Sequence, residues 1–464
     1  MFMYQNTKSK IKLLILNSSL LILVSGCGIY TKYSRPEEIR TDNIFGENVE
    51  TTDTTTIGNL QWTEVYSDSY LQELIQKGLE NNTDLQIARL RINQAQASLK
   101  SAKLAYTPSV SVNPSGTISS FDGQSSSKTY ELPVSASWEI DIFGKLTNQK
   151  RQSEATLEES EAYKQAVQSQ LIANIANYYY TLLMLDEQLR VSQQTAENWK
   201  GNVKTLHALK KAGETNEAAV SQAEANKCSV DASVLNLKLQ ITEIQNSLCA
   251  LLGDVPQTIE RGSFKNQTFP QELSVGIPVQ LLSNRPDVKY AEASLKKAFY
   301  YTNEARSYFY PSLNLSGMLG WTNSGGGIVT NPGALIWQAV GSLTQPIFNQ
   351  GTNKARFEIA KSQQEEAKLT FQQTILDAGA EVNTNLAKYQ TAKEKVALYE
   401  KQIQLLESAV KSTQLLMQHG TINYLEVLTA QQTLLDAELS QISNRFDEIQ
   451  SVINLYSALG GGSN

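Results

Sequence analysis

Histidine and cysteine are scarce in this chain, at two and three residues in 464. His207 and His419 are too few for a multi-histidine metal centre. No Ser/His/Asp set, metal spacing or phosphate loop stands out, so no cofactor is expected and an enzyme is the least favoured class. The cysteines offer no disulfide framework. Cys228 and Cys249 sit on one helical stretch, roughly 30 Å apart by the rise per residue, beyond bridging distance. Positive charge is not in excess: 40 Lys and Arg face 46 Asp and Glu, for a net charge of −6. No basic face for nucleic acid follows. Beyond the N-terminal segment no run of about 18 apolar residues exists, which excludes a transmembrane helix. The most informative shortage is proline. None of the eleven falls between Pro133 and Pro256, and none after Pro346. Each gap has room for a very long helical hairpin.

The stretch from Gly351 to Gly420 fills the second gap. Apolar residues recur at Phe371, Ile375, Ala378, Val382, Leu386, Tyr389, Val396, Tyr399, Ile403, Leu406, Val410 and Met417. Their period is about 3.5 residues, the seam of a left-handed coiled coil. An unbroken helix here is roughly 100 Å long and needs long partners for its apolar stripe. A matching helix is expected over Lys145–Lys211, with return helices over Glu217–Leu252 and Ile422–Leu459.

Strand signals precede each long helix. In Tyr130–Ile142 the apolar set Tyr130, Leu132, Val134, Ala136, Trp138, Ile140 and Ile142 alternates strictly with Glu131, Pro133, Ser135, Ser137, Glu139 and Asp141. Pro108–Phe121 alternates likewise, with Val110, Val112 and Ile118 against Ser109, Ser111, Asn113, Thr117 and Ser119. Leu313, Leu315, Leu319 and Trp321, then Leu335, Trp337, Ala339 and Leu343 on a return strand over Ala334–Ile347, repeat the pattern. Two readings fit: a half-buried sheet in a soluble protein, or barrel hairpins with one face to lipid.

The chain repeats itself. Asp84 and Pro108 match Asp287 and Pro311 at an offset of 203, Ile142-Phe143 matches Ile347-Phe348 at 205, and Gly213 matches Gly420 at 207. The organisation is therefore a tandem duplication. It comprises a targeting segment at 1–26, an extended segment at 27–70, and a first repeat at 71–253 with β-hairpin 108–143 and helical hairpin 145–252. A linker at 254–283 leads to a second repeat at 284–459, with β-hairpin 311–347 and helical hairpin 351–459, and a tail at 460–464. If the four strands face lipid they cannot close alone, because open edges leave unpaired N–H and C=O groups at several kcal/mol each. Two copies give eight strands and three give twelve; both are allowed.

The N-terminus carries Lys8, Lys10 and Lys12, an apolar stretch Leu13–Val24, and Val24-Ser25-Gly26-Cys27. That ending resembles the lipobox of bacterial lipoproteins, with cleavage before Cys27 and lipid attached to it. An ordinary signal peptide is the alternative. Further motifs run along the mature chain: Tyr33-Ser34-Arg35-Pro36; Trp62; Leu79-Glu80-Asn81-Asn82 with Asp84-Leu85; Ser137 through Gly144; Asn284-Arg285-Pro286-Asp287-Val288; Pro346-Ile347-Phe348; and Tyr424-Leu425-Glu426-Val427-Leu428 with Ala430-Gln431. In their order and spacing the chain resembles the TolC/OprM-type outer membrane efflux proteins, in the lipoprotein branch serving resistance-nodulation-division (RND) pumps.

The resemblance implies a mainly helical fold with transmembrane β-structure: a homotrimer with a twelve-stranded barrel in the outer membrane and an α-helical barrel in the periplasm. It implies an equatorial belt built from the N-terminal segment, the 254–283 linker and the C-terminus. It implies docking of a periplasmic adaptor at the helical tips, Gly213-Glu214-Thr215 and Gly420-Thr421, and through it an inner-membrane pump of the RND or ABC type. The function implied is a passive exit duct for drugs, toxic compounds or metal ions; the alternative is a duct for ABC-driven protein secretion. The implied periplasmic gate maps to Met417, Ile422, Glu426 and Thr429. Acidic positions of the family fall at Glu426 and Thr429, leaving one carboxylate ring that would favour cations. The family's polar locks fall at Met417 and Ile422, so closure by apolar contact is expected.

Overall fold

The computed structural model of the chain describes residues 31–36, 57–123, 125–269, 284–323 and 333–463. The targeting segment, Cys27, most of the expected N-terminal extended segment, linker residues 270–283 and loop residues 324–332 lie outside the described residues. The helices are α1 (Trp62–Val65), α2 (Ser69–Asn81), α3 (Thr83–Leu104), α4 (Lys145–Lys211), α5 (Glu217–Leu251), α6 (Pro286–Ser307), α7 (Thr352–Gln418) and α8 (Tyr424–Ala458). The strands are β1 (Ser109–Val112), β2 (Ser115–Ser119), β3 (Ser127–Ile140), β4 (Ser312–Thr322) and β5 (Ala334–Thr344). The duplication holds element by element: α3 and α6 each have 22 residues, α4 and α7 have 67, and α5 and α8 have 35. At 1.5 Å per residue, α4 and α7 are each about 100 Å long. Contacts divide the chain into two compact units, each drawing on both repeats.

The first unit comprises residues 1–39, 90–161 and 290–373. Its sheet is antiparallel, with β1 and β2 end to end along one edge of β3, then β4, then β5. The reading of Pro108–Phe121 as one strand is corrected: the strand divides at Asn113-Pro114, because proline has no N–H for the ladder. Register survives the break, since Val112 pairs with Val134 and Ser115 with Glu131, and the Asn113 amide donates to the Pro133 carbonyl at 3.3 Å. The return strand also stops earlier than expected, at Thr344 rather than Ile347.

Register sorts the side chains by face. Val134–Leu319–Trp337, Leu132–Trp321–Leu335 and Ile140–Leu313–Leu343 form rows across β3, β4 and β5. Cross-strand neighbours on one face are the unit of sheet stabilisation. Yet this face stands open: Leu319 is 53% and Trp337 76% exposed. Leaving such side chains in water forfeits roughly 1.5–3 kcal/mol each. The opposite face carries Ser109–Ser137–Ser316 and Glu139–Asn314–Ser342.

Helices below the sheet are tied by polar contacts. Asp141 takes the free amides of Leu146 and Thr147 at 2.9 and 2.8 Å, which fixes the start of α4. Lys296 meets Glu158 and Lys297 meets Glu159, at 2.7 and 2.5 Å, joining α6 to α4. The N-terminal stretch lies on these helices. The Thr31 carbonyl accepts from Arg151 at 3.4 Å, the Tyr33 amide donates to the Tyr300 hydroxyl at 3.3 Å, and Arg35 grips Glu292 with both arms of its guanidinium.

The second unit comprises residues 40–89, 162–289 and 374–464. Its core gathers Tyr66, Leu71, Ile75, Ile172, Ile175, Tyr179, Leu248, Leu252, Ile453 and Tyr456, all nearly inaccessible. Asn82 ends α2 and starts α3, its side chain accepting from the Leu85 amide and donating to the Leu251 carbonyl. The expected interruption at Asn81-Asn82 is this junction. Asp68 takes the Tyr179 hydroxyl at 2.7 Å and the Gln267 amide at 2.8 Å. The C-terminal residues are buried rather than trailing: Ser169 donates to the Gly461 carbonyl at 2.5 Å. A Cβ at Gly461 would strike the Tyr456 ring, so only glycine fits beneath it.

Candidate functional site

Three features of the two units carry functional potential: the open apolar sheet face, the helical tips, and a buried arginine with two carboxylate partners at the start of the second repeat.

The two tips share one backbone geometry. In the first, the amide of Glu214 donates to the Leu209 carbonyl and that of Gly213 to Lys210, at 2.9 and 3.1 Å. In the second, Thr421 donates to Leu416 and Gly420 to Met417, at 3.0 and 2.9 Å. This is a Schellman turn, which requires a left-handed residue. Gly213 and Gly420 supply it, with φ of +78° and +72°. Asn216 and Asn423 then cap the return helices, accepting from Ala219 and from Leu425 and Glu426.

Identical backbones carry opposite chemistry. Lys210 pairs with Glu217 across the first tip, and His207 Nε2 lies 2.9 Å from Glu224 Oε1. At the corresponding offset of 207 the second tip has Met417 and Tyr424 in place of Lys210 and Glu217. Tyr424 is buried in the core cluster and Met417 packs against it. The first tip is braced by ions and the second by apolar packing.

Among the expected site residues, Gly213, Glu214, Gly420, Thr421, Glu426 and Thr429 are exposed, while Thr215, Met417 and Ile422 are half-buried. Glu426 and Thr429 lie three apart in the first turns of α8 and share a face. The Thr429 hydroxyl is turned back to the Leu425 carbonyl at 2.9 Å. Asn202 donates to Gln431 at 2.6 Å, linking α4 of the first repeat to α8 of the second near the tips. Cys27 lies outside the described residues.

The motif Asn284-Arg285-Pro286-Asp287 conceals a role that the sequence does not spell out. The Arg285 side chain is buried, yet it donates to the Ala458 carbonyl at 2.6 Å, to both Asp287 oxygens at 3.0 and 2.8 Å, and to Glu381 at 2.7 Å. One guanidinium therefore joins the start of α6, the end of α8 and the middle of α7. Burial opposes its charge, but Asp287 and Glu381 outweigh that and raise its pKa above the ordinary arginine value.

A second group surrounds a cavity of about 600 Å³ lined by residues of α4, α7 and α8 with Phe264 and Lys265. Arg190 and Lys265 both reach Glu187, and the Arg190 hydrogen bond lowers the Glu187 pKa. Across the cavity, burial raises the pKa of Glu438, with Glu407 adding to the shift. These charges set the electrostatics of the space between α4, α7 and α8.

Comparison with known proteins places these features. A model of the family described as "outer membrane efflux protein" matches residues 74–254 and 277–461. The cation efflux system protein CusC of Escherichia coli O6:H1 is 26% identical over 449 residues, covering 95% of this chain and 97% of that protein. The toluene efflux pump outer membrane protein TtgC of Pseudomonas putida is 27% identical over 453 residues, covering 95% and 93%. The open-state structure of the Neisseria gonorrhoeae MtrE outer membrane channel superposes with a TM-score of 0.84 at 26% identity, covering 93% of this chain and 98% of that one.

Proposed function

The chain belongs to the outer membrane efflux protein family, and on that premise we propose how it assembles and works. It is an outer membrane exit duct of a tripartite efflux system. Three copies close a barrel of twelve strands in register order. The observation that carries this reading is the sheet, whose matched rows of Leu, Val and Trp share one exposed face while its two outer edges have no strand partner among the described residues. Apolar rows need lipid, and lipid forbids open edges, so neighbouring copies supply the missing partners. The serine face then lines a water-filled lumen. The long helices form the periplasmic wall, and the residues near Tyr179 and Tyr456 form its belt.

An adaptor docks at the tips and connects the duct to an inner-membrane pump. The duct does no chemistry and draws its energy from that pump. CusC is named for cations and TtgC for toluene; the substrates here are small ions or molecules of the same kind, chosen by the pump. In the closed state the second hairpin forms the gate, with Met417 and Ile422 in apolar contact and three Glu426 side chains forming a ring. Replacing Gly420 with valine forces a branched side chain into φ +72° and distorts the turn. Gly420→Val and Glu214→Lys are expected to reduce efflux at least fivefold in a strain lacking its own duct, with trimer content unchanged. Full efflux by both variants would remove the tips from the docking surface.

Cys27 carries the lipid anchor. Thr31 is held by Arg151, six residues into α4 or about 9 Å along the helix. The four residues back to Cys27 span at most about 14 Å. That reach supports an acyl chain entering the inner leaflet beside the strand ends. Cys27→Ser should abolish palmitate incorporation while leaving the barrel in the membrane; continued labelling would refute the anchor.

A further inference from the structure

The five strands carry only two carboxylates and one cation among their described residues: Glu131, Glu139 and Lys128. Register places Lys128 beside Ile118, on the apolar face. Glu131 sits opposite Ser115 and Thr322, and Glu139 opposite Asn314, both on the hydroxyl face. The two acids differ in their partners. Lys145, the first residue of α4, lies 3.0 Å from each oxygen of Glu139 and neutralises it. Glu131 is exposed and has no ion-pair partner among the described residues. It stands four residues from the loop end of β3, the end remote from the helices.

We infer that Glu131 determines the charge preference of the barrel's outer mouth, forming in the assembled barrel a ring of three carboxylates that favours cations and disfavours anions. The inference rests on the trimeric duct proposed above and adds a second selectivity element, distinct from the tips. Everything else lining the strand face is neutral: hydroxyls, amides and a few apolar side chains such as Met318, Ile336 and Val340. With no compensating cation on that face, the three negative charges are countered only by mobile ions. At one Debye length, about 10 Å at 0.1 M salt, three charges raise the local concentration of a monovalent cation about twofold and lower that of an anion by the same factor. The cation-to-anion permeability ratio therefore changes about fourfold.

The test uses the full-length trimer in planar bilayers under a potassium chloride gradient, run in both directions. With the dilute side at the outer mouth the ring is weakly screened, and Glu131→Gln is expected to lower the permeability ratio about fourfold. With the dilute side at the tips the same variant should change the ratio little, whereas Glu426→Gln should lower it. Glu131→Asp keeps the charge and should keep the preference. Removing the paired charges together, in Glu139→Gln with Lys145→Met, should leave the ratio unaltered. A Glu131→Gln trimer that conducts with unaltered selectivity in both directions overturns the inference. A trimer that passes no current even with the gate contacts removed, in Met417→Ala with Ile422→Ala, refutes the duct reading instead, and the ring with it.

Discussion

Leu319→Arg is expected to abolish assembly in the outer membrane. Leu319 lies at the centre of the apolar rows, between Val134 and Trp337, and points away from the serine face. An arginine near the midplane of a lipid-facing strand costs about 2–4 kcal/mol. The proposed trimer would carry three, so the cost totals roughly 6–12 kcal/mol, comparable to the whole stability of a folded protein. The adjacent residue provides the control. Met318 pairs with Ser135 and Gln338 on the opposite face, so Met318→Arg puts the same charge into water and should assemble normally. The readout is heat-resistant oligomer in the outer membrane fraction. Equal assembly of the two variants, or equal failure, would contradict the assignment of faces.

Arg285→Ala should destabilise the second unit measurably. It leaves Glu381 and Asp287 without their shared cation and strips the Ala458 carbonyl of its donor. The buried Ala458 carbonyl loses its donor at about 1–3 kcal/mol per chain, while Asp287 and Glu381, 44% and 47% exposed, are partly re-solvated. Arg285→Lys is expected to recover little, because an ammonium cannot reach three acceptors in a plane. Adding Glu381→Gln to the alanine variant should restore part of the loss by removing a stranded charge. Thermal unfolding of the purified protein measures all three. A lysine variant as stable as wild type would show that the fork geometry is not needed.

These expectations draw on two kinds of information, one written locally in the sequence and one not. The proline-free gaps announce α4 and α7, since one proline inside either helix would cost about 3 kcal/mol. Period-2 alternation announces β3 and β4, and the constant offsets align the tips before any coordinates do. The exchange of Lys210 and Glu217 for Met417 and Tyr424 is also visible once the offset is applied, although only the fold shows that Tyr424 is buried. Pro114 should have warned of the break between β1 and β2, because it removes a ladder donor in plain sight. Arg285 was not legible in its role. Its partners lie 96 and 173 residues away, and no local pattern encodes a contact between three distant helices. Glu131 and Glu139 are alike in the alternating pattern; Lys145 lies only six residues beyond Glu139, yet the turn that brings it back onto that carboxylate shows only in the fold.

Physics alone leaves two closed barrels open, of eight or twelve strands, and family membership favours three chains. The mass of the complex extracted from membranes decides the matter most directly. With a chain of 51.4 kDa before processing, native mass spectrometry in detergent should find a single species of three processed, lipid-bearing chains. A two-chain complex, or a lone chain that stays folded in detergent with its sheet edges unpaired, would contradict the account.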